Sequence, residues 1–327
     1  MNRVAVILAV YTNLETTKTK WFCKTMKSSD IMTLMQILLT GGHGFIGRNI
    51  LESEWAKSHT IFAPRRDELD LTDEEAVRLY LRQNKFDAII HGATKPGHRN
   101  AKDLSRIFID NTRMFFNLAR NHQDFGKMIV LGSGAIYDSR YYIPKMREDY
   151  AGEHVPDDEH GFSKYVIDQM IEKYDNMIDL RLFGVFGKYE DYAIRFISNL
   201  MCKALYDLPL TMKQDRLFDY LFAPDLIPIL DYFLLNQVKH KAYNVTPGEP
   251  VSLVAIAEKI LEISKKTLPI QISQEGLGKE YSADNARLKD EFKGLRFTPL
   301  SQSMKQLYDW LTLQKDQINP ELLKVDK

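Results

Sequence analysis

A glycine-rich stretch near the start of the chain constrains its fold more than any other feature. The segment ILLTGGHGFIG, residues 37–47, places an apolar run directly before the pattern Gly41-x-x-Gly44-x-x-Gly47, and Gly42-x-Gly44-x-x-Gly47 matches equally well. Glycine lets the backbone turn tightly and approach a pyrophosphate, whose charge then faces the N-terminus of the next helix. The pattern predicts a dinucleotide-binding unit, with cofactor contacts from Gly41, Gly44, Phe45, Ile46 and Gly47.

Short apolar runs alternate with amphipathic stretches from residue 37 onward. Because the apolar runs do not alternate with polar residues, we expect both faces of the predicted sheet to be covered. This order predicts an α/β fold with a doubly wound parallel sheet of the Rossmann type. The predicted strands are 37–39, 61–63, 88–91, 128–131 and 180–183, and the predicted helices lie near 45–57, 73–84, 103–121 and 160–175.

This regular alternation loosens after about residue 188, where polar loops such as TPGEP separate smaller elements. A smaller C-terminal lobe for the substrate is therefore expected. Residues 1–34 precede the first predicted strand, and we expect a disordered or wrongly assigned extension, since Met32 or Met35 could be the natural start. The predicted division is a dinucleotide-binding domain over 35–187, to which 224–247 returns, and a substrate lobe over 188–223 and 248–327.

The charge balance and the cysteines argue against several classes of protein. The chain has 44 Lys and Arg against 44 Asp and Glu, so no net field favours nucleic acid or membrane. Cys23 and Cys202 have neither metal-binding nor redox spacing. The apolar run at residues 4–11 is too short to span a bilayer, and no small-residue cleavage site follows it. We expect a cytoplasmic protein without a bound metal and with neither nucleic acid nor membrane as partner.

The end of the second predicted strand indicates the cofactor. An NAD site usually places an acidic residue about 20 residues beyond the glycines, where it binds the ribose hydroxyls. Here Arg65 and Arg66 follow the strand immediately, before Asp67. Guanidinium groups suit a 2′-phosphate, which favours NADP. NAD stays possible if Asp67 binds the ribose instead.

With these residues in view, the chain resembles the extended short-chain dehydrogenases/reductases of the NAD-dependent epimerase/dehydratase family. The segments RRDELDLTDEEAV, HGATKPG and VLGSGAIYD look most like the GDP-L-fucose synthases and dTDP-4-dehydrorhamnose reductases. The resemblance covers about residues 36–312, and the closing segments YNVTPGEPVSL and FTPLSQSMKQLYDW fit the C-terminal lobe. It implies a hydride-transferring enzyme of nucleotide-sugar chemistry.

The resemblance also implies cofactor and catalytic roles for residues that follow the predicted strands. Asp70 and Leu71 would contact adenine, and Ala93, in the strand end HGAT, would lie along the cofactor. Ser133 would be the catalytic serine that polarises the sugar oxygen. Lys164 would bind the nicotinamide ribose and lower the pKa of the neighbouring acid.

Further polar residues are implied near the substrate. Arg216, in RLFDYLFAPDL, matches an arginine that often binds nucleotide-sugar phosphate. Asn111 would be the structural polar residue of the central helix, close enough to the substrate to be a candidate contact. His98, in the loop KPGHRN, is a further candidate contact, whereas His91 is expected to be structural.

The catalytic helix departs from the family pattern at one position. Residues 160–164, HGFSK, carry His160 where the pattern Tyr-x-x-x-Lys has tyrosine. The alternative match YYIPK, residues 141–145, contains Pro144, which prevents its tyrosine and lysine from lying on one helix face. Imidazole has an ordinary pKa of about 6.5, and the charge of Lys164 favours its neutral form.

Three roles for this position are open. His160 serves as the acid/base directly, or another group such as His98 supplies the proton, or hydride chemistry is weak or absent. Each role keeps the predicted fold and cofactor. The departure therefore affects the identity of the proton donor most.

These features predict an NADP-preferring oxidoreductase of deoxysugar and polysaccharide biosynthesis, either a 4-keto reductase or an epimerase. One alternative is a cofactor-binding regulatory or scaffold protein that has lost catalysis. A sugar dehydratase is another, although Gly134 and Ala135 stand where its motif carries an Asp–Glu pair. The resemblance also implies a homodimer through helices 103–121 and 160–175, for which the apolar candidates are Phe115, Val166, Ile167 and Ile171.

Overall fold

The computed structural model describes residues 34–97 and 101–324. Six strands form a parallel sheet in the order β10-β5-β4-β3-β1-β2, and the other strands pair two by two. The strands of the described residues are β1 (Gln36–Thr40), β2 (Thr60–Phe62), β3 (Ala88–His91), β4 (Lys127–Ser133), β5 (Met177–Leu182), β6 (Val185–Phe186), β7 (Leu210–Asp215), β8 (Leu217–Phe218), β9 (Leu221–Phe222), β10 (Ala242–Val245), β11 (Val251–Ser252) and β12 (Ile270–Leu277).

Helices cover both faces of this sheet. Helices α1 and α6 pack on one face, and α2, α3 and α4 pack on the other. None of the helices in the described residues is long and apolar enough to cross a membrane. Their bounds are α1 (Phe45–Leu51), α2 (Glu74–Asn84), α3 (Ile107–Ala119), α4 (Glu159–Ile171), α5 (Phe196–Leu205), α6 (Leu226–Leu235), α7 (Leu253–Ser264), α8 (Ala286–Glu291) and α9 (Leu300–Leu313).

The apolar strand runs explain why both faces are covered. In β1, Ile37 and Leu39 join the core beneath α6, whereas Leu38 joins the core beneath α3. All three side chains are fully buried, and burial of each contributes roughly 1.5–3 kcal/mol. The prediction of a doubly wound parallel sheet is therefore confirmed.

A second hydrophobic core lies in the C-terminal lobe, where α5, α7 and α9 pack together with the parallel pair β7 and β12. The short antiparallel pair β8 and β11 brings Phe218 beside Val251. The sheet region and this lobe belong to one compact unit. After α6 the chain returns to the sheet, where β10 pairs with β5 as an edge strand.

Several predicted element bounds differ from those observed. The helix predicted at 103–121 begins only at Ile107, because Arg106 is in the left-handed region with φ 56° and Asp103 accepts a hydrogen bond from the Ser105 amide in a turn. The helix predicted at 45–57 ends at Leu51, and a separate 3₁₀ turn follows at Trp55–Ser58. The residues predicted for an extension, 1–34, lie outside the described residues except Leu34.

The apolar residues expected at a dimer interface divide between two environments. Phe115, Ile167 and Ile171 are buried in the core beneath the sheet, so their side chains point inward. Val166 is half-buried. An interface on α3 and α4 therefore needs other apolar side chains.

A buried ion pair ties α4 to the sheet. The Arg181 guanidinium, on β5, lies 2.6 Å from Asp168 of α4, and both side chains are almost inaccessible. Arg181 also donates to the Tyr137 hydroxyl at 2.9 Å and to the Glu148 carbonyl at 2.8 Å. Tyr137 in turn donates to Asn244 at 2.7 Å. This network joins α4, β5, β10 and the segment after β4.

Replacing Arg181 by leucine should destabilise the protein strongly, because Asp168 is then left as a buried charge without its cation. The expected loss in free energy of unfolding is about 3–5 kcal/mol, measured by urea denaturation. Arg78→Leu is the matched control, since Arg78 pairs with the exposed Glu75 and should change stability little. Equal stability of the two variants would contradict the role given to the network.

Candidate active site

A cavity of about 1250 Å³ lies at the carboxyl ends of β1, β2 and β3. Ligands of doubly wound folds bind at this edge of the sheet. Helix α3 contributes Asp110 and Met114 to the wall, and Arg195, just before α5, lies at the rim. The remaining wall comes mainly from residues 39–48, 64–66, 69–72, 92–96 and 101–103, together with Leu131.

The glycine loop forms one wall of this cavity, and its glycines are required by close backbone contacts. Gly41 has φ 72°, and a Cβ there would lie 2.7 Å from the backbone of Gly92 and Ala93. A Cβ on Gly47 would collide with the Gly41 carbonyl. The glycines therefore let this loop pack backbone to backbone against the turn after β3 and the start of α1. The predicted residues Gly41, Gly44, Phe45, Ile46 and Gly47 all line the cavity.

The turn after β2 contributes charged side chains to the cavity wall. Arg65 and Arg66 are exposed and line the cavity, whereas the lining does not include Asp67. The Arg66 guanidinium lies 3.5 Å from Asp70, whose carboxylate also accepts from the Thr72 hydroxyl at 2.7 Å. Partial burial works to raise the pKa of Asp70, but the Thr72 hydrogen bonds and the Arg66 charge lower it. Asp70 is therefore ionised at this end of the cavity, next to Leu71.

Buried side chains fix the loop after β3. The Thr40 hydroxyl lies 2.8 Å from His91 Nδ1 and accepts from the Ala93 amide at 3.2 Å. Burial, helped by the charge of Lys164, lowers the pKa of His91 to about 3, so this imidazole is neutral. His91 thus has the structural setting expected of it, and Ala93 lines the cavity.

Asn111 of α3 braces the same loop. Its carbonyl oxygen accepts from the Lys95 amide at 2.6 Å, and its amide donates to the Lys95 carbonyl at 3.2 Å. The geometry supports a structural role rather than substrate contact, because the Asn111 side chain is buried. The predicted substrate contact His98 lies outside the described residues.

Ser133 and Lys164 lie beside the inner end of the cavity. Ser133 ends β4, and its hydroxyl accepts from the Ala135 amide at 3.1 Å. The Lys164 ammonium donates to the carbonyl of Leu131 at 3.3 Å, and Leu131 lines the cavity. Burial lowers the pKa of Lys164, and the Asp179 carboxylate opposes that shift. The lysine therefore contacts a residue of the cavity wall but does not itself line the cavity.

His160 lies in the first turn of α4, one turn before Lys164. The Asp158 carboxylate caps this helix by accepting from the Gly161 amide at 2.8 Å. A Cβ on Gly161 would lie 2.7 Å from the Ala135 carbonyl, so the helix start packs against the turn after Ser133. On its other side, the His160 Cβ would lie 2.9 Å from a Cβ built on Gly97. His160 therefore lies between the Ser133 turn and the loop that follows β3.

Arg216 lies away from the lined cavity. Its guanidinium is 5.1 Å from the centre of the Phe218 ring, within the C-terminal lobe. Arg195 is a cavity residue that sequence reasoning missed, because nothing in the local pattern distinguishes it from a solvated arginine.

A second residue missed from sequence is Asp179. Its carboxylate lies on a buried strand against Gly132, where a Cβ would collide with it, and burial raises its pKa. The signal was available in the segment MIDLRL, because charged residues seldom interrupt a strand that is buried on both faces.

Comparison with known proteins gives a consistent family. The sequence profile of the NAD dependent epimerase/dehydratase family matches residues 37–246. The chain is 25% identical over 254 residues to the GDP-L-colitose synthase of Yersinia pseudotuberculosis, covering 70% of this chain and 82% of that protein. It is 23% identical to the GDP-L-fucose synthase of Dictyostelium discoideum, over 84% of this chain and 94% of that protein.

Solved structures agree on the fold. A GDP-L-fucose synthetase from Naegleria fowleri bound to NADP superposes with a TM-score of 0.74 at 17% identity, covering 86% of this chain and 95% of the other. The family match covers well over half of the chain. It begins in β1 and ends just beyond β10, the last strand of the six-stranded sheet. The protein belongs to the NAD dependent epimerase/dehydratase family.

Proposed function

We propose that this protein is an NADP-preferring oxidoreductase that acts on a nucleotide-diphosphate sugar, by 4-keto reduction or by epimerisation. The observation that carries the proposal is the cavity at the sheet edge, with the glycine loop on one wall and Lys164 hydrogen-bonded to the carbonyl of Leu131 on another. The expectation of an NAD(P)-dependent enzyme of nucleotide-sugar chemistry is confirmed at the level of the family. The proposed location is the cytoplasm.

The cavity fits a dinucleotide. The glycine loop, which lines the cavity before α1, would hold a pyrophosphate, and Arg65 and Arg66 would bind a 2′-phosphate. Lys164 donates to the carbonyl of Leu131, a residue of the cavity wall, and from there its ammonium would turn to the nicotinamide ribose. When bound, the nicotinamide supplies or accepts hydride.

The sugar nucleotide would bind between the sheet edge and the C-terminal lobe, formed by residues 188–223 and 248–327. Arg195 lines the cavity and Arg216 lies in the lobe, so both guanidinium groups are available to a diphosphate. The two relatives named above, a GDP-L-colitose synthase and a GDP-L-fucose synthase, favour a GDP-linked sugar. Ser133 would polarise the sugar oxygen.

His160 would exchange the proton at that oxygen. It occupies the helix position of the family tyrosine, one turn before Lys164 and beside the Ser133 turn. Imidazole is suited to proton exchange near neutral pH, which is the requirement for a general acid/base. The side chain is shorter than tyrosine, so the sugar oxygen would have to approach the helix more closely.

The cofactor assignment predicts that NADPH binds more tightly than NADH. Changing both Arg65 and Arg66 to alanine should remove the difference, because each charged hydrogen bond contributes about 1.5–3 kcal/mol. Calorimetric titration measures both dissociation constants. Arg78→Ala, an arginine of α2 that does not line the cavity, is the control and should keep the preference. A wild type that prefers NADH would contradict the assignment.

The catalytic assignment predicts that His160→Ala lowers turnover by about 10²–10⁴-fold, the usual contribution of a positioned acid/base. NADPH affinity should change little, because the glycine loop and Lys164 remain. Steady-state kinetics with a GDP-sugar provides the measurement, and the exposed His240→Ala is the control. If His160→Ala turns over normally while His98→Ala does not, the donor lies in the loop after β3 instead.

A homodimer through α3 and α4 is also part of the proposal. Ile109 is 44% exposed and Phe162 is 38% exposed, and the Phe162 ring stacks on Phe108 at 4.9 Å. Light scattering at micromolar concentration should give twice the chain mass of 38.0 kDa. Phe162→Glu should shift the mass to the monomer, whereas Leu313→Glu on α9 should not. A monomeric wild type would exclude this interface.

A further inference from the structure

A tyrosine from the C-terminal lobe reaches the turn that carries Ser133. Tyr281 follows β12, far along the chain from the catalytic helix, and its hydroxyl lies against Gly134. A Cβ on Gly134 would collide with this hydroxyl, so only glycine allows the approach. The family tyrosine is replaced by His160, yet a phenol is still present beside the catalytic serine.

The Tyr281 ring is held firmly by its surroundings. Its centre lies 4.9 Å from that of Phe183, 4.8 Å from that of Phe218 and 5.1 Å from that of Tyr142. Its backbone amide donates to the Leu217 carbonyl at 2.9 Å. Rings packed on several sides leave the side chain little rotamer freedom. The hydroxyl is therefore fixed in its direction toward Gly134.

The protonation state of the Tyr281 hydroxyl lets it act as a hydrogen-bond donor. Burial raises the pKa of Tyr281 well above its usual value, and the nearby phenols of Tyr142 and Tyr137 add to the effect, against the charges of Arg216 and Arg195. The phenol thus keeps its proton at neutral pH. Among the described residues, the structure records no hydrogen bond for this hydroxyl, in contrast to the Tyr137 hydroxyl, which donates to Asn244.

The turn at Ser133–Ala135 is flanked by both candidate groups. The first turn of α4, with His160 and Gly161, packs against the Ala135 carbonyl, and Tyr281 packs against Gly134. On the lobe side, the Tyr281 ring contacts Phe218, over which the Arg216 guanidinium lies. A nucleotide sugar with its diphosphate near Arg216 would place its sugar toward Tyr281 and Ser133.

We propose that the Tyr281 hydroxyl is a further catalytic group, which donates a hydrogen bond to the sugar oxygen at the reacting carbon. This inference rests on the proposed function. As the carbonyl carbon takes up hydride, its π electrons move to that oxygen, and a preorganised donor stabilises the developing negative charge. The proton comes from His160, so Tyr281 keeps its own.

Calorimetric binding of GDP and of GDP-L-fucose separates the sugar contact from the nucleotide contact without any turnover. Tyr281→Phe keeps the ring and removes the hydroxyl. The Kd for GDP-L-fucose should therefore rise by about 2–10-fold, the range for one neutral hydrogen bond, while the Kd for GDP stays constant. Tyr150→Phe is the control, because its hydroxyl belongs to the same aromatic cluster but donates to the Tyr141 carbonyl. It should change neither constant.

Turnover provides a second measurement. In the oxidation of GDP-L-fucose by NADP⁺, Tyr281→Phe should lower kcat by about 10²-fold, the effect of removing one oxyanion donor. Its KM should change no more than the Kd does. Gly134→Ala adds a Cβ that would meet both the Tyr281 hydroxyl and the Phe183 ring, and should lower kcat by displacing that hydroxyl. This variant keeps the inference testable if Tyr281→Phe fails to fold.

The two proposals fail in different ways. A wild type that binds no nucleotide-diphosphate sugar, GDP-L-fucose included, contradicts the proposed function, and the inference with it. Wild-type binding and turnover that persist unchanged in a folded Tyr281→Phe variant, or in Gly134→Ala, contradict the inference alone. A Tyr281→Phe variant that weakens GDP and GDP-L-fucose equally also contradicts it, since the ring would then act on the nucleotide.

Discussion

Close backbone packing between α4 and the turn after β4 places the candidate catalytic groups. Gly161 lies so close to the Ala135 carbonyl that a side chain would not fit, and Lys164 donates to the Leu131 carbonyl one turn later. The buried pair of Asp168 and Arg181 holds the same helix to β5. Because one helix carries all these contacts, His160 and Lys164 keep a fixed position relative to Ser133.

The proposed exchange of the family tyrosine for His160 would change the proton donor and leave the contacts of the surrounding helix in place. The Asp158 cap, the Gly161 contact and the lysine are all present in α4. The lobe adds an aromatic cluster that directs the Tyr281 hydroxyl at Gly134. An imidazole for the proton and a phenol for the charge would together perform what a single tyrosine does elsewhere in the family.

Local patterns in the sequence were sufficient to identify residues that line the cavity. The loop glycines and the two arginines, Arg65 and Arg66, lie in turns whose form depends on residues close in sequence. All of them line the cavity. The start of α3 was missed, because the turn made by Asp103 and the left-handed Arg106 interrupts an otherwise helical pattern.

The proposed substrate side depends on contacts between distant parts of the chain. Tyr281 follows β12 and pairs with Phe218 of β8, and its hydroxyl lies against Gly134. Nothing around Tyr281 in the sequence indicates that contact. Arg195 reaches the cavity in the same way, from the start of α5. Residue type and spacing describe short segments well, but they carry little information about which loops come together in space.

Isotope transfer tests the central claim most directly, because it reports the chemical step rather than binding. The protein would be incubated with a GDP-4-keto-6-deoxy sugar and NADPH that carries deuterium at the transferred position, and the sugar product examined by mass spectrometry and NMR. Hydride transfer predicts one deuterium at the reduced carbon of the sugar. Bound cofactor with no deuterium in the sugar and no change in the stereochemistry of the sugar would contradict the account, and would favour a protein that binds the dinucleotide without catalysis.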